Sequence, residues 1–145
     1  MTTTVILENE LGLVQYHEVV GRSGIVHHQI RGPVSGEAFR QLLLEGLETL
    51  KAKHATKWLS DDRFVTTIDL GEAPWSDTVW WPRMLEAGWK YWAILGPNQP
   101  EGGGKAAFQL SSFAMRAALA NGLTVRFFSE PEAALAWLRE VDAAP

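Results

Sequence analysis

The fold turns on "GIVHHQIRGPVSGEAFRQLLLEGLETL", Gly24 to Leu50, because the hydrophobic period changes inside it. "GIVHHQIR" has the β-branched, short-range character of a strand. From Ser35 the pattern becomes helical. Ser35 reads as an N-cap, Glu37 places a carboxylate in the first turn, and Phe39, Leu42, Leu43, Leu47 and Leu50 fall on one face of a long helix.

Upstream, "TTTVIL" and "GLVQYHEVV" are two further strands, joined by "NELG" and followed by the turn residues "GRSG". That arrangement predicts an antiparallel meander. Downstream, "TKWLS" reads as a buried strand running into an irregular loop, and "PWSDTVWWPRMLEA" as a helix stopped at Gly88 and kinked by Pro82. "KYWAIL" has the unbroken apolar run of a parallel strand covered on both faces. "GKAAFQLSSFAMRAALA" predicts a helix with Gly122 just past its end, "LTVRFF" the last strand, and Ser129 with Glu132 a capping box for a final helix carrying Ala134, Trp137, Leu138 and Val141. The order β-β-β-α-β-α-β-α-β-α implies an α/β domain with a mixed sheet: N-terminal antiparallel strands, later parallel β-α units, and helices covering the sheet. Length and the absence of a linker or repeat predict a single domain over residues 1–145.

Composition narrows the function classes. A net charge of −4 and a pI near 5.5 argue against a broad nucleic-acid surface. The chain has no cysteine, which removes thiol catalysis, disulfides and cysteine metal sites. The N-terminus lacks a signal-peptide pattern and no apolar run approaches a bilayer span, so a soluble, cytoplasmic protein is expected.

Those segments, "IVHHQIRGPVSGEAFRQLL", "KWLSDDR", "WSDTVWWPRMLEAGWKYWAIL" and "LTVRFFSEPEAALAWL", resemble the small bacterial proteins of the STAS-like, SpoIIAA-like superfamily, a group also associated with the Sec14/CRAL-TRIO lipid-binding fold. The resemblance spans nearly the whole chain and implies a STAS-like fold. In STAS anti-sigma-factor antagonists a serine after a central strand is phosphorylated by a partner kinase, and Ser60 lies roughly there. About fourteen residues separate it from the next helix, whereas the family's serine opens that helix.

In an open α/β sheet, ligands gather at the carboxyl ends of the parallel strands. Ser60, Asp61, Asp62 and Arg63 belong there, with Asp77 further on, and form the candidate regulatory or ligand site. The same residue types are ordinary turn and cap formers, which predicts backbone hydrogen bonds to Asp61 or Asp62 and a carboxylate partner for Arg63. Their spacing matches no calcium loop, so no metal is expected. "GGGK", Gly102 to Lys105, lacks the first glycine and the terminal hydroxyl of a Walker A loop, since Gln99 and Ala106 stand there. His27 and His28 are adjacent on a strand and point to opposite faces; His28, beside Val26 and Ile30, reads as a satisfied core histidine. No nucleophile–base motif is present, so a catalytic site and a cofactor are not called for.

Five of the seven tryptophans lie between Trp75 and Trp92. Trp81, Met84 and Leu85 suffice to cover a sheet, and Trp75, Val79 and Trp80 widen the apolar arc beyond one contact. Three readings of Trp75, Val79, Trp80 and Trp81 stay open: deep core, a homodimer surface, or one wall of an apolar pocket near Ser60. The sequence therefore points first to a non-enzymatic regulatory or interaction module, homodimeric, working with a protein partner. A binder of a small apolar ligand or lipid is the alternative.

Overall fold

Alternating strands need a partner on each buried side, and the first three find it in one another. The computed structural model describes residues 1–96, 116 and 118–143. In it β1 (Thr2–Glu8), β2 (Gly12–Glu18) and β3 (Ile25–Val34) form the antiparallel meander, with Thr3 opposite His17 and Gln15 opposite His27. Asn9 closes the first turn, its Oδ1 accepting the N–H groups of Leu11 at 2.9 Å and Gly12 at 3.2 Å. Three strands then add in parallel: β4 (Lys57–Ile68), β5 (Tyr91–Leu95) and β6 (Thr124–Phe128). The six-stranded sheet has the order β1-β2-β3-β4-β5-β6.

Helix α1 (Gly36–Ala52) buries the stripe read from the sequence, Phe39, Leu42, Leu43, Leu47 and Leu50. Ser35 is its N-cap residue, but its hydroxyl makes no capping bond. Glu72 does the work from the next crossover. Its Oε1 accepts the Gly36 N–H at 3.1 Å and its Oε2 the Arg40 Nε–H at 2.9 Å, placing a carboxylate at the positive end of the helix dipole. Gly46 lets α1 approach the sheet, because a Cβ there would run into the fully buried ring of Trp58. Gly46→Ala is therefore an overpacking substitution and is expected to destabilise the fold by about 1–3 kcal/mol in urea melts. An unchanged midpoint would mean that the helix and ring separate freely.

The helical segment after β4 is broken where Pro82 requires it. A 3₁₀ turn (Leu70–Glu72) and one α turn, α2 (Ala73–Trp75), lead into a π-helical stretch (Ser76–Trp80) and then α3 (Trp81–Glu86). Trp81 N–H bonds the Ser76 carbonyl, five residues back, so the wider turn falls where a proline ring would crowd an α-helical carbonyl. Gly88 and Gly122 take left-handed φ values of 104° and 67°, as helix-stopping glycines do. Residues 118–121 are helical; the rest of the expected helix before β6, and the "GGGK" segment, lie outside the described residues.

Two expectations fail. The "SDDR" corner is not a loop: β4 continues through it to Ile68, because β3 extends to Val34 and keeps pairing. The register between them shifts twice, from Gln29/Asp61 to Arg31/Phe64 and from Gly32/Val65 to Val34/Ile68, each time with one extra residue on β4. The final helix α4 (Pro131–Glu140) has Glu130 as N-cap residue with no side-chain cap, so the Ser129–Glu132 capping box does not form. Pro131 starts that helix instead, its preset φ suiting the first turn.

The sheet separates two cores. On one face α1 and α3 cover Val14, Val26, Ile30, Trp58 and Ile94; on the other α4 sets Ala134 and Leu138 on Ile25, Leu59, Ala93 and Leu95. Lys57 is fully buried on the α4 side, and its Nζ reaches Asp142 Oδ1 at 2.7 Å. No helix among the described residues is long and apolar enough to cross a membrane.

Candidate functional site

Alternation along β4 sends the four polar residues of "SDDR" to different cores. Ser60, Asp61 and Asp62 are all buried. Ser60 faces the tryptophans, and its Oγ accepts the Trp92 indole N–H at 2.8 Å. Asp62 lies on the same face and bonds His28 Nε2 at 2.8 Å, while the Trp58 indole donates to His28 Nδ1 at 3.0 Å. An indole N–H can only donate, so Nδ1 is the acceptor and the ring hydrogen stands on Nε2, directed at the carboxylate. His28 is thus the satisfied core histidine, tied between an indole and an aspartate. Asp62→Ala would leave that N–H without a partner and is expected to cost about 1.5–3 kcal/mol in urea melts. Asp62→Asn, which keeps an acceptor oxygen, should cost less, and equal losses would discount the hydrogen bond.

Asp61 points to the opposite face. Arg63 clamps it with Nε and Nη2, both at 2.8 Å, Gln29 Nε2 donates at 2.9 Å, and the Arg63 backbone N–H adds a bond at 3.3 Å. Burial works to raise the Asp61 pKa, but the bonds from Arg63 and Gln29 outweigh it and hold the carboxyl below its usual value. The bonds to Asp61 also hold the Arg63 guanidinium charged. The expected backbone bond and the arginine partner are both present, within a bulged strand. Gln29 Oε1 accepts from Arg31 Nε at 2.8 Å, extending the polar row. Asp77 is exposed and shares no hydrogen bond or ion pair with these residues.

The tryptophan arc is largely taken up inside the chain. Trp80 and Trp81 are buried, and Trp80 Nε1 donates to the Leu43 carbonyl at 2.9 Å. The rings of Trp58, Trp80, Trp81, Trp89 and Trp92 stand edge-on or tilted with centroids 4.8–6.0 Å apart. Trp75 is half-buried against Phe39 with the Arg40 guanidinium 5.3 Å from its ring centre, and Val79 is half-buried. Beside Ser60, the Trp92 ring donates to the serine hydroxyl and packs against Trp81, their centroids 5.6 Å apart.

A further polar constellation lies on the α4 face of the sheet and escaped the sequence reading. His17 Nε2 bonds His27 Nδ1 at 2.9 Å, and Thr3 Oγ1 bonds His17 Nδ1 at 2.7 Å. Burial lowers the pKa of both rings, that of His27 to about 3, with the neighbouring His17 acting in the same direction. His27 Nε2 is buried without a hydrogen-bond partner. Counting residues back and forth across the "GRSG" turn would have placed the two histidines on one face of the hairpin. Among the described residues, no group of three or more metal-binding side chains forms a metal site.

Six strands, an antiparallel start and parallel β-α additions define a SpoIIAA-like α/β architecture. The chain is similar in fold to an uncharacterised protein of the DUF3478 family from Shewanella loihica PV-4, whose crystal structure has a SpoIIAA-like fold. The TM-score is 0.57 at 22% identity, over 91% of this chain and 98% of that one. No family model matches the sequence. No curated protein matches it either.

Proposed function

We propose that the chain is a single-domain, non-enzymatic interaction module of STAS-like type, working in the cytoplasm through protein contacts and as a homodimer. The observation that carries this reading is the state of the strand-end polar residues. Ser60, Asp61, Asp62 and Arg63 each hold a hydrogen bond from or to their own chain, three of them buried, so none is poised to act on a substrate. The same burial turns the Ser60 hydroxyl away from a kinase, so regulation would act through surface contacts.

The dimer contact is assigned to the β1 edge. β1 ends the sheet, residues 2–5 are exposed on both faces, and Val5 keeps 58% of its surface. "TTTV" carries no charge and no proline, the usual guards of an edge strand, so two copies can pair antiparallel about a two-fold axis without like-charge contacts. The bulge after Val5 confines the flat pairing stretch to those first residues. Sedimentation at micromolar concentration should show a dimer, weakened at least about tenfold by Val5→Lys at the edge. A monomeric native protein removes the homodimer; a dimer indifferent to Val5→Lys moves the contact elsewhere. An apolar ligand retained through purification and seen by native mass spectrometry would favour the ligand-binding alternative.

A further inference from the structure

Thr3, His17 and His27 are joined in series across β1, β2 and β3, and the series has only two self-consistent sets of hydrogens when both rings are neutral. In one, the Thr3 hydroxyl donates to His17 Nδ1, His17 Nε2–H donates to His27 Nδ1, and His27 Nε2 carries a hydrogen. In the other, every hydrogen moves over: His17 Nδ1–H donates to Thr3, His27 Nδ1–H donates to His17 Nε2, and His27 Nε2 presents a bare lone pair. Either way the series ends at an atom that is buried and unpaired, on a side chain only 7% exposed. An unpaired polar atom in that setting is destabilising and rare.

Its surroundings limit what can pair with it. Gln15 stands directly opposite His27 in the antiparallel register, on the same face; its side chain is half-buried and makes no hydrogen bond among the described residues. Cross-strand neighbours of this kind have Cβ atoms about 5 Å apart, close enough for one small group to touch both side chains. The nearby charges, Asp61 and Arg63, are spent on each other through two bonds of 2.8 Å and offer no unbalanced charge to an ion. Burial keeps the His27 ring neutral, which again disfavours an anion. A group that both donates and accepts fits either arrangement of the series.

We propose that His27 Nε2, with Gln15 beside it, is a binding site for an uncharged hydroxyl group, carried by a small alcohol or polyol or by one ordered water. The Thr3–His17 series lets the site switch between donor and acceptor, so it can meet the hydroxyl in either orientation. His27 and Gln15 lie on β3 and β2, away from the β1 edge contact to which Thr3 belongs, and the site stands whether or not the chain dimerises.

The test uses the full chain labelled with ¹⁵N-histidine and ethylene glycol as the probe. A saturable change in the His27 Nε2 resonance is expected, with a midpoint raised about fivefold by Gln15→Ala, the effect of losing one hydrogen bond. If glycol produces no saturable change but a long-lived water cross-relaxes with the His27 ring, the hydroxyl is that of the bound water, and the site stands. Absence of both signals overturns the proposal, as does a His27 response to glycol whose midpoint Gln15→Ala leaves unchanged.

Discussion

Asp142→Ala is expected to cost about 3–5 kcal/mol of stability, the loss typical when one partner of a buried ion pair is deleted. Lys57 has no exposed side-chain surface, whereas the Asp142 side chain keeps 23% of its surface. Removing the aspartate strands an ammonium inside the protein. Removing the lysine leaves a carboxylate that water can reach, with the Arg22 guanidinium 4.0 Å away. Lys57→Met, which keeps the apolar stem and drops the charge, should therefore be close to neutral, and adding it to Asp142→Ala should recover most of the loss. Urea melts of the two single variants and the double variant decide the point. Equal costs for the single variants would show that the pair is not asymmetrically buried in solution.

Acid should unfold the protein through the two buried histidines of the hairpin. The His27 pKa falls from 6.5 to about 3 in the fold, and that of His17 is lowered as well. Each is a base with a depressed folded value, so below the unfolded value the unfolded chain binds more protons than the folded one. Stability then rises with pH across that window and is lost as pH falls from about 6.5 towards 3. For His27 alone the loss between pH 7 and pH 5 is about 2 kcal/mol, at roughly 1.4 kcal/mol per pH unit.

The other groups that act on the His27 ring are accounted for. Burial and the nearby His17, His28 and Arg63 lower its pKa, and only Asp61 opposes them. The Asp61 carboxyl is itself held below 3.8, so its own contribution to stability disappears only at more acidic pH. His27→Leu should flatten the profile between pH 7 and pH 5. A wild-type midpoint that does not move over that range would show that the rings are protonated at no cost.

What was legible in the sequence follows from which forces are local. The order of the elements, the α1 stripe and the stops at Gly88 and Gly122 depend on periodicity and backbone freedom, and these are written residue by residue. The length of β4 is not. "SDDR" has the composition of a turn, yet it stays in a strand paired with β3, where Trp92, His28 and Gln29 supply hydrogen bonds from other segments. Glu72 caps a helix that starts 36 residues earlier, and Lys57 finds its carboxylate 85 residues later. No window of sequence contains those pairs. The tryptophans gave a different lesson: indoles from the π-helical stretch, α3, β4, β5 and the turn between α3 and β5, distant in sequence, pack against one another in one cluster.

Five indoles held within 4.8–6.0 Å of their neighbours are also a single optical object. At such spacings their transition dipoles couple, and the tilted and edge-on angles make that coupling chiral. Circular dichroism of this protein should carry a strong aromatic couplet superposed on the backbone bands, so helix content read from it in the usual way would be distorted. Excitation absorbed by any one ring will migrate among the five before it is emitted. The fluorescence of the native protein therefore reports on the cluster as a whole, and a change that loosens α3 from the sheet alters the emission of every tryptophan in it at once.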